Sequence, residues 1–313
     1  MKDYLSNNTK YPVNLPLGWH ISSEQNSDDL FVKLYSNVYW LALSRFSATE
    51  ILLSRISCFR EAGKHLMIRG CGSGLYASIK ACLPYSINFG SEAVLLFEGN
   101  HFSKRSLKEL IRRGKKKGTV FEAGYSEMNI RNLENLKAGS AHAGKPQLNF
   151  LFFTDYEPGM KLYFYQNNSN EIMAALLLSE NSGLKIQAEL LLRKKNAPIG
   201  AMEYLIYFAF NSLKDSRFKY FSLGEVPFVI NNTERSLKTI TLRLAGKFFS
   251  FAYNFEGLYN FKNKFNPVWN DLAICSSKKI RLFDFFMVAY RSNFLSLAAY
   301  KLKYIAKDIF IRP

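Results

Sequence analysis

The residues best placed to do chemistry lie between Lys185 and Phe228. Ile186 to Leu192 is a short apolar run of strand length with one acid in it, Glu189. The loop from Arg193 to Gly200 carries three cations together with Asn196, Pro198 and Gly200, so it can continue neither a strand nor a helix. Met202, Leu205, Ile206, Ala209, Phe210 and Leu213 then recur at helical spacing, and Tyr220 to Leu223 reads as a second buried strand. A strand, a cationic turn, a helix and a return strand can hold an anion at the helix N-terminus, where unpaired N–H groups and the dipole point outward. A strand–helix–strand segment with a merely solvated loop has the same pattern.

Two other stretches bear on chemistry. From Lys104 to Lys117 the chain holds Lys104, Arg105, Lys108, Arg112, Arg113, Lys115, Lys116 and Lys117 against a single acid, Glu109. That density favours a phosphate-contacting surface over a solvated cationic face. Arg69-Gly-Cys-Gly-Ser-Gly74 places glycines where backbone N–H groups could approach a phosphate, but a glycine-rich hairpin turn accounts for it better. No Ser/His/Asp or Cys/His arrangement, metal-ligand spacing, P-loop or H-E-x-x-H is present. Cys58, Cys71, Cys82 and Cys275 lack C-x-x-C spacing, so free thiols in a reducing compartment and no metal site are expected.

Glu189, Arg193, Ala197, Pro198, Gly200, Glu203, Leu223, Gly224 and Pro227 together resemble the core of the acyltransferase-fold (GNAT) domains of bacterial lysyl- and alanyl-phosphatidylglycerol synthases and their soluble relatives. Those domains read as an acid, apolar residues and Arg, an A-P-x-G turn, a helix with an early acid, and a strand ending in L-G-x-x-P. Tyr253 to Trp269 is similar to a second and more specific pattern of that family, N-F-x-G-L…F-K-x-K-F-x-P-x-W. The resemblance implies an α/β (α+β) fold, tandem GNAT (acyl-CoA N-acyltransferase-like) domains with central mixed, mostly antiparallel sheets. It implies an aminoacyl-tRNA donor, whose activated ester needs no ATP, and a lipid acceptor of the phosphatidylglycerol kind.

On that resemblance Glu189 and Glu203 would recognise an α-amino group or orient a proton transfer. Arg193 and Lys262 would sit near terminal phosphates or an oxyanion, with Gly200 and Gly224 in the substrate-binding turns. Lys264 and the cluster of Arg112, Arg113 and Lys116 would grip tRNA or lipid phosphate. No cofactor is implied; coenzyme A is the donor in the alternative, where Arg69 to Gly74 matches the R-x-x-G-x-G phosphate loop of many enzymes of this fold. A third alternative is a non-catalytic binder of RNA or anionic membrane. Where the relatives read D-L-M-R, this chain reads Glu189-Leu-Leu-Leu-Arg193, which leaves the amino acid and the acceptor open.

The elements that must position these residues are read from a chain of 313 residues with 48% apolar content, 27 Phe and 18 Tyr, enough for a real core. Lys plus Arg is 42 against 25 for Asp plus Glu, a net charge of +17, which favours a polyanionic partner: tRNA or an anionic phospholipid surface. The N-terminus lacks an apolar signal region and no apolar run has bilayer-spanning length, so a cytoplasmic protein is expected, peripheral on the inner membrane face at most. The expected units are residues 1–145, an N-terminal GNAT-like domain with the basic helix; 146–276, the catalytic GNAT-like domain; and 277–313, a basic amphipathic tail that is either interfacial or docked on the core. Within them, residues 1–29 read as a loose lead-in. Residues 30–59 read as one or two helices, the second opened by a capping box at Ser47–Glu50. Ser106 to Arg113 and Met128 to Leu136 read as helices, the former ended by Gly114 and Gly118. Lys161 to Leu192 reads as a three-stranded meander, 231–249 as a basic helix, Phe255 to Phe265 as a short helix, and Leu272 to Cys275 as the strand that closes the sheet.

Overall fold

The computed structural model describes residues 15–21, 29–46, 51–229, 244, 246–247 and 249–311. The strands are β1 (Trp19–Ile21), β2 (Asp29–Tyr35), β3 (Val38–Phe46), β4 (His65–Gly72), β5 (Tyr85–Leu96), β6 (Gly118–Ala123), β7 (Lys161–Asn167), β8 (Ile172–Ser182), β9 (Lys185–Arg193), β10 (Tyr220–Pro227) and β11 (Val268–Ser276). The helices are α1 (Ile51–Glu61), α2 (Ser73–Ile79), α3 (Arg105–Lys117), α4 (Glu127–Gly139), α5 (Ala201–Ser212), α6 (Phe255–Asn263), α7 (Leu282–Arg291) and α8 (Phe294–Ile311).

All eleven strands join one sheet in the order β1-β3-β4-β11-β5-β10-β9-β8-β7-β6, with β2 also on β3. Only β1–β3, β3–β4 and β9–β10 pair in parallel, so the sheet is mixed and mostly antiparallel, as expected. It runs unbroken through residues of both expected halves. The expected cut at 145/146 falls in the chain between α4 and β7, while β6 from before it pairs along its whole length with β7 from after it.

Alternation along the meander assigns each face its cover. Tyr163 and Tyr165 of β7 point to the face covered by Leu205, Ile206, Ala209 and Phe210 of α5. Leu162 and Phe164 point to the other, covered by Leu133 and Leu136 of α4. Full burial of Leu205, Ile206 and Phe210 contributes roughly 1.5–3 kcal/mol each, which holds α5 and its N-terminus against the sheet. Helix α3 lies beside α5, and Gly114 is inside α3 rather than at its end. A Cβ there would strike the Gly200 carbonyl oxygen, and a Cβ on Gly200, at φ +90°, would strike that of Leu110. The two glycines let the helices touch backbone to backbone; Gly114 is a packing residue, not a stop.

Several expectations need correcting. Residues 30–46 form strands β2 and β3, not a helix. Val32 and Leu34 of β2 are buried between exposed or half-buried neighbours, and Trp40, Leu41 and Ala42 of β3 are buried on both faces. A strand covered on both sides shows no period, so its apolar run imitates a helix. The lead-in contributes β1, with Trp19 fully buried. Arg69 to Gly74 is neither hairpin turn nor open loop: it ends β4 and starts α2, and a Cβ on Gly70 would lie 2.8 Å from the Leu17 backbone nitrogen, so this glycine admits the incoming chain. Strand β11 is internal, between β4 and β5, instead of closing an edge. The capping box at 47–50 and nearly all of 231–249 lie outside the described residues.

In the tail, α7 and α8 bury Val288, Leu297 and Ala298 against the molecule, while Leu282, Phe283, Phe286 and Tyr290 of α7 are at least half exposed. The tail is docked by one face and presents aromatic side chains on the other. Among the described residues no helix is long and apolar enough to cross a membrane.

Candidate active site

The sheet parts between β9 and β10. These parallel strands are in register for Tyr220–Ser222 opposite Lys185–Gln187; beyond that β10 follows β5 and β9 follows β8. Two irregularities widen the gap. On β9 the register to β8 jumps from Ala188 to Leu190, leaving Glu189 as the extra residue of a bulge. On β10 it shifts between Ser222 and Glu225, around Gly224 at φ +81°, whose N–H donates to the Ser222 hydroxyl at 3.0 Å. A half-open cavity of about 2080 Å³ fills the parting and extends to the tail helices. Glu189, Arg193, Gly200, Glu203, Gly224, Lys262 and Lys264 all line it. Arg112, Arg113 and Lys116 do not; they are exposed on α3, where Arg112 and Arg113 both bond Glu109.

Lys262 is a buried amine of the parting. It lies in the last turn of α6, which Asn254 caps by accepting from the Gly257 N–H at 2.7 Å. His101 fixes the turn that follows. Its Nε2 accepts from the Leu96 N–H at 2.7 Å, so Nδ1 carries the proton and donates to the Asn266 carbonyl at 2.8 Å. Phe265, fully buried, anchors the same turn. Lys262 thus enters a 6%-exposed position, where Nζ donates to the Glu225 carbonyl at 2.9 Å and stands 3.5 Å from where a Cβ on Gly224 would be. Burial lowers its pKa from 10.5 to about 7, partly offset by the charges of Glu225 and Glu92. An amine poised at neutral pH can accept and return a proton.

The carboxylates are more constrained than their sequence pattern suggests. Glu189 is buried and accepts from the Ser179 hydroxyl, the Gln187 amide and the Phe153 N–H (3.1 Å), so both oxygens are engaged; burial still raises its pKa. Glu203 sits in the first turn of α5 and accepts from Lys264 Nζ at 3.0 Å. Its own charge complements the dipole at the helix N-terminus where an anion seat was expected. Gly200 and Gly224 serve backbone geometry: close helix packing at one, room for Lys262 at the other.

Sequence reasoning missed several lining residues. Arg69 of β4 pairs with Glu225 of β10 at 2.7 Å, both on the β10 side of the parting, with both side chains largely buried. That commits the arginine of the glycine-rich segment to the protein's own carboxylate. Arg45 pairs with Glu157 through Nε at 2.8 Å, beside His20, whose pKa burial pushes down to about 4. These partners are 100 to 160 residues apart, and only the strand order brings them together. Among the described residues no group of three or more His, Cys, Asp or Glu could hold a metal ion.

Residues 47–275 match the family model described as "Phosphatidylglycerol lysyltransferase, C-terminal". The chain belongs to that family. It is therefore an acyltransferase, of the class that moves an aminoacyl group to a lipid. No curated protein sequence matches it. Among solved structures, the L-PGS of Bacillus licheniformis is similar with a TM-score of 0.66 at 19% identity, over 87% of each chain. The C-terminal domain (DUF2156) of a protein assigned as a lysylphosphatidylglycerol synthetase from Agrobacterium fabrum is similar with a TM-score of 0.61 at 18% identity, over 82% of each. At those identities the likeness shows the fold, and the fold is GNAT-like.

Proposed function

We propose that this lysyltransferase-family chain takes an aminoacyl group from aminoacyl-tRNA and passes it to a hydroxyl of an anionic glycerophospholipid at the inner face of the cytoplasmic membrane. The observation that carries this reading is Lys262, buried beside the parted sheet with its pKa brought to about 7, in the wall of a cavity lined by both charged and apolar side chains. Neutral Lys262 accepts the proton of the lipid hydroxyl as that oxygen attacks the ester carbonyl. The new ester bond forms, the bond to the terminal ribose oxygen breaks, and Lys262 returns the proton to that oxygen. One ester replaces another, so no energy source is consumed, and the rate comes from holding donor and acceptor together.

Glu203 and Lys264 line the slot that the acceptor end of tRNA would occupy, while Glu189, held by three donors, keeps the bulge of β9 in shape. The outer face of α3, with Arg112, Arg113 and Lys116, supplies phosphate contacts to the RNA backbone. The exposed aromatic face of α7 suits a membrane surface.

The test is to incubate the protein with labelled aminoacyl-tRNA and phosphatidylglycerol vesicles. Label should reach the organic phase, be lost with ribonuclease pretreatment, and be lost with Lys262→Met. Stabilisation by coenzyme A without any response to tRNA would refute the donor; label that never enters lipid would refute the acceptor.

A further inference from the structure

We propose that His142, Lys145, Arg193 and Lys301 form a binding site for the phosphodiester of an anionic lipid at the junction of the charged and apolar parts of the cavity. The inference rests on the lipid-acceptor reading above and deepens it.

All four side chains line the cavity and come from three separate parts of the chain. The loop after α4 carries His142 and Lys145, the end of β9 carries Arg193, and α8 carries Lys301. Backbone bonds tie the three together. Ala141 N–H donates to the Arg193 carbonyl at 3.4 Å, and Ser140 bridges to Lys194. Asn149 N–H donates to the Ser292 carbonyl at 3.0 Å, and Asn293 Nδ2 donates to the Gln147 carbonyl at 2.8 Å, at the corner between α7 and α8. The loop is closed on itself by Gln147 Nε2 donating to the His142 carbonyl at 2.9 Å.

Among the described residues no carboxylate pairs with any of the four. The contrast with the rest of the cavity is sharp: Arg45, Arg69 and Lys264 each have an acidic partner there. Gathering like charges on a half-covered wall costs free energy that a bound anion recovers. Burial first, and then the charges of Lys145, Lys301 and Arg193, lower the pKa of His142; burial, Lys301 and Lys195 lower that of Lys145.

The surroundings select a lipid. Leu297 and Lys301 are one turn apart on α8 and line the same cavity, so one helix face presents an apolar contact and then a cation. Phe285, Val288 and Phe294 add apolar wall to the same cavity. A ligand with a phosphate joined to hydrocarbon matches that order; an RNA phosphate brings no hydrocarbon to fill the wall.

The test uses dihexanoyl-phosphatidylglycerol below its micelle concentration, dihexanoylglycerol, which lacks the phosphate, and deacylated tRNA, each titrated calorimetrically. Wild type should bind the phospholipid more tightly than the diacylglycerol. Lys145→Gln/Lys301→Gln should weaken the phospholipid about tenfold or more, toward the diacylglycerol value, with tRNA affinity unchanged. Lys145→Arg/Lys301→Arg should retain binding, which separates lost charge from lost fold. The site is refuted if the glutamine variant keeps wild-type phospholipid affinity, if tRNA affinity falls in place of lipid affinity, or if wild type shows no preference for the phosphate. Phospholipid binding without aminoacyl transfer would sink the proposed reaction and leave this site standing.

Discussion

Replacing Lys262 by Met should make the protein more stable and inactive at once. In the unfolded chain this lysine is protonated up to 10.5, and in the folded protein only up to about 7. That difference is worth roughly 5 kcal/mol against folding when both states would otherwise keep the proton. The sign follows from proton counting. Between pH 7 and 10.5 the unfolded state binds the extra proton, so stability rises by about 1.4 kcal/mol per pH unit; below pH 7 the cost is fully present, and above 10.5 it is gone. Met has nearly the same shape and no charge, and forfeits only the bond to the Glu225 carbonyl, worth about 1 kcal/mol. Lys262→Met should therefore exceed wild type by about 3 kcal/mol at pH 7, and the gap should close to nearly zero by pH 9.5. Urea denaturation of both proteins at pH 6.5, 7.5, 8.5 and 9.5 reads this without any substrate. In the transfer assay, wild-type kcat/KM should rise as pH passes about 7, while the variant loses about 10²–10⁴-fold. A stability gap that does not change with pH, or a variant less stable at every pH, would show that Lys262 is an ordinary charged lysine and remove it as the proton carrier.

Three further outcomes follow from other parts of the molecule. Gly114→Ala sets a methyl against the Gly200 carbonyl and should cost about 1–3 kcal/mol in urea denaturation by prising α3 from α5. Reversing Lys115, Lys116 and Lys117 to Glu should weaken tRNA binding and flatten its dependence on log salt by about 0.7–0.9 for each phosphate no longer neutralised, as measured by filter binding from 50 to 200 mM salt. Phe283→Ser/Tyr290→Ser should reduce cosedimentation with phosphatidylglycerol vesicles and leave calorimetric binding of the short-chain lipid intact, since these side chains are at least half exposed and stand outside the cavity lining.

The segment from β9 to β10 was legible in the sequence because each piece carries a local signal: an apolar strand, a Pro/Gly turn, a helical repeat anchored by Leu205 and Phe210. The meander was legible for the same reason, through its Asn and Ser turns. Lys262 was legible only through the family pattern around it, since nothing in its own neighbourhood states that it will be buried. Strand β3 was not legible, because apolar residues occupy both its faces and period two vanishes where both faces are covered; β2 keeps its alternation at Val32 and Leu34 but was read as one run with β3. Gly114 was misread because a helix stop and a helix contact use the same residue, and only the partner helix tells them apart. The pairs Arg69–Glu225 and Arg45–Glu157 were invisible because no periodicity connects residues so distant; they depend on which strands become neighbours.

The central place of β11 has a consequence for biosynthesis. Strands β4 and β5 are complete by Leu96, yet the strand that separates them ends at Ser276. At translation rates of about 5–20 residues per second, the facing edges of both strands wait roughly 10 to 40 seconds for their shared partner. During that interval they offer unpaired N–H and C=O groups to any passing chain. Until β11 has been made the nascent chain stays adhesive along those two edges, and a chaperone that shields them on the ribosome should raise its yield.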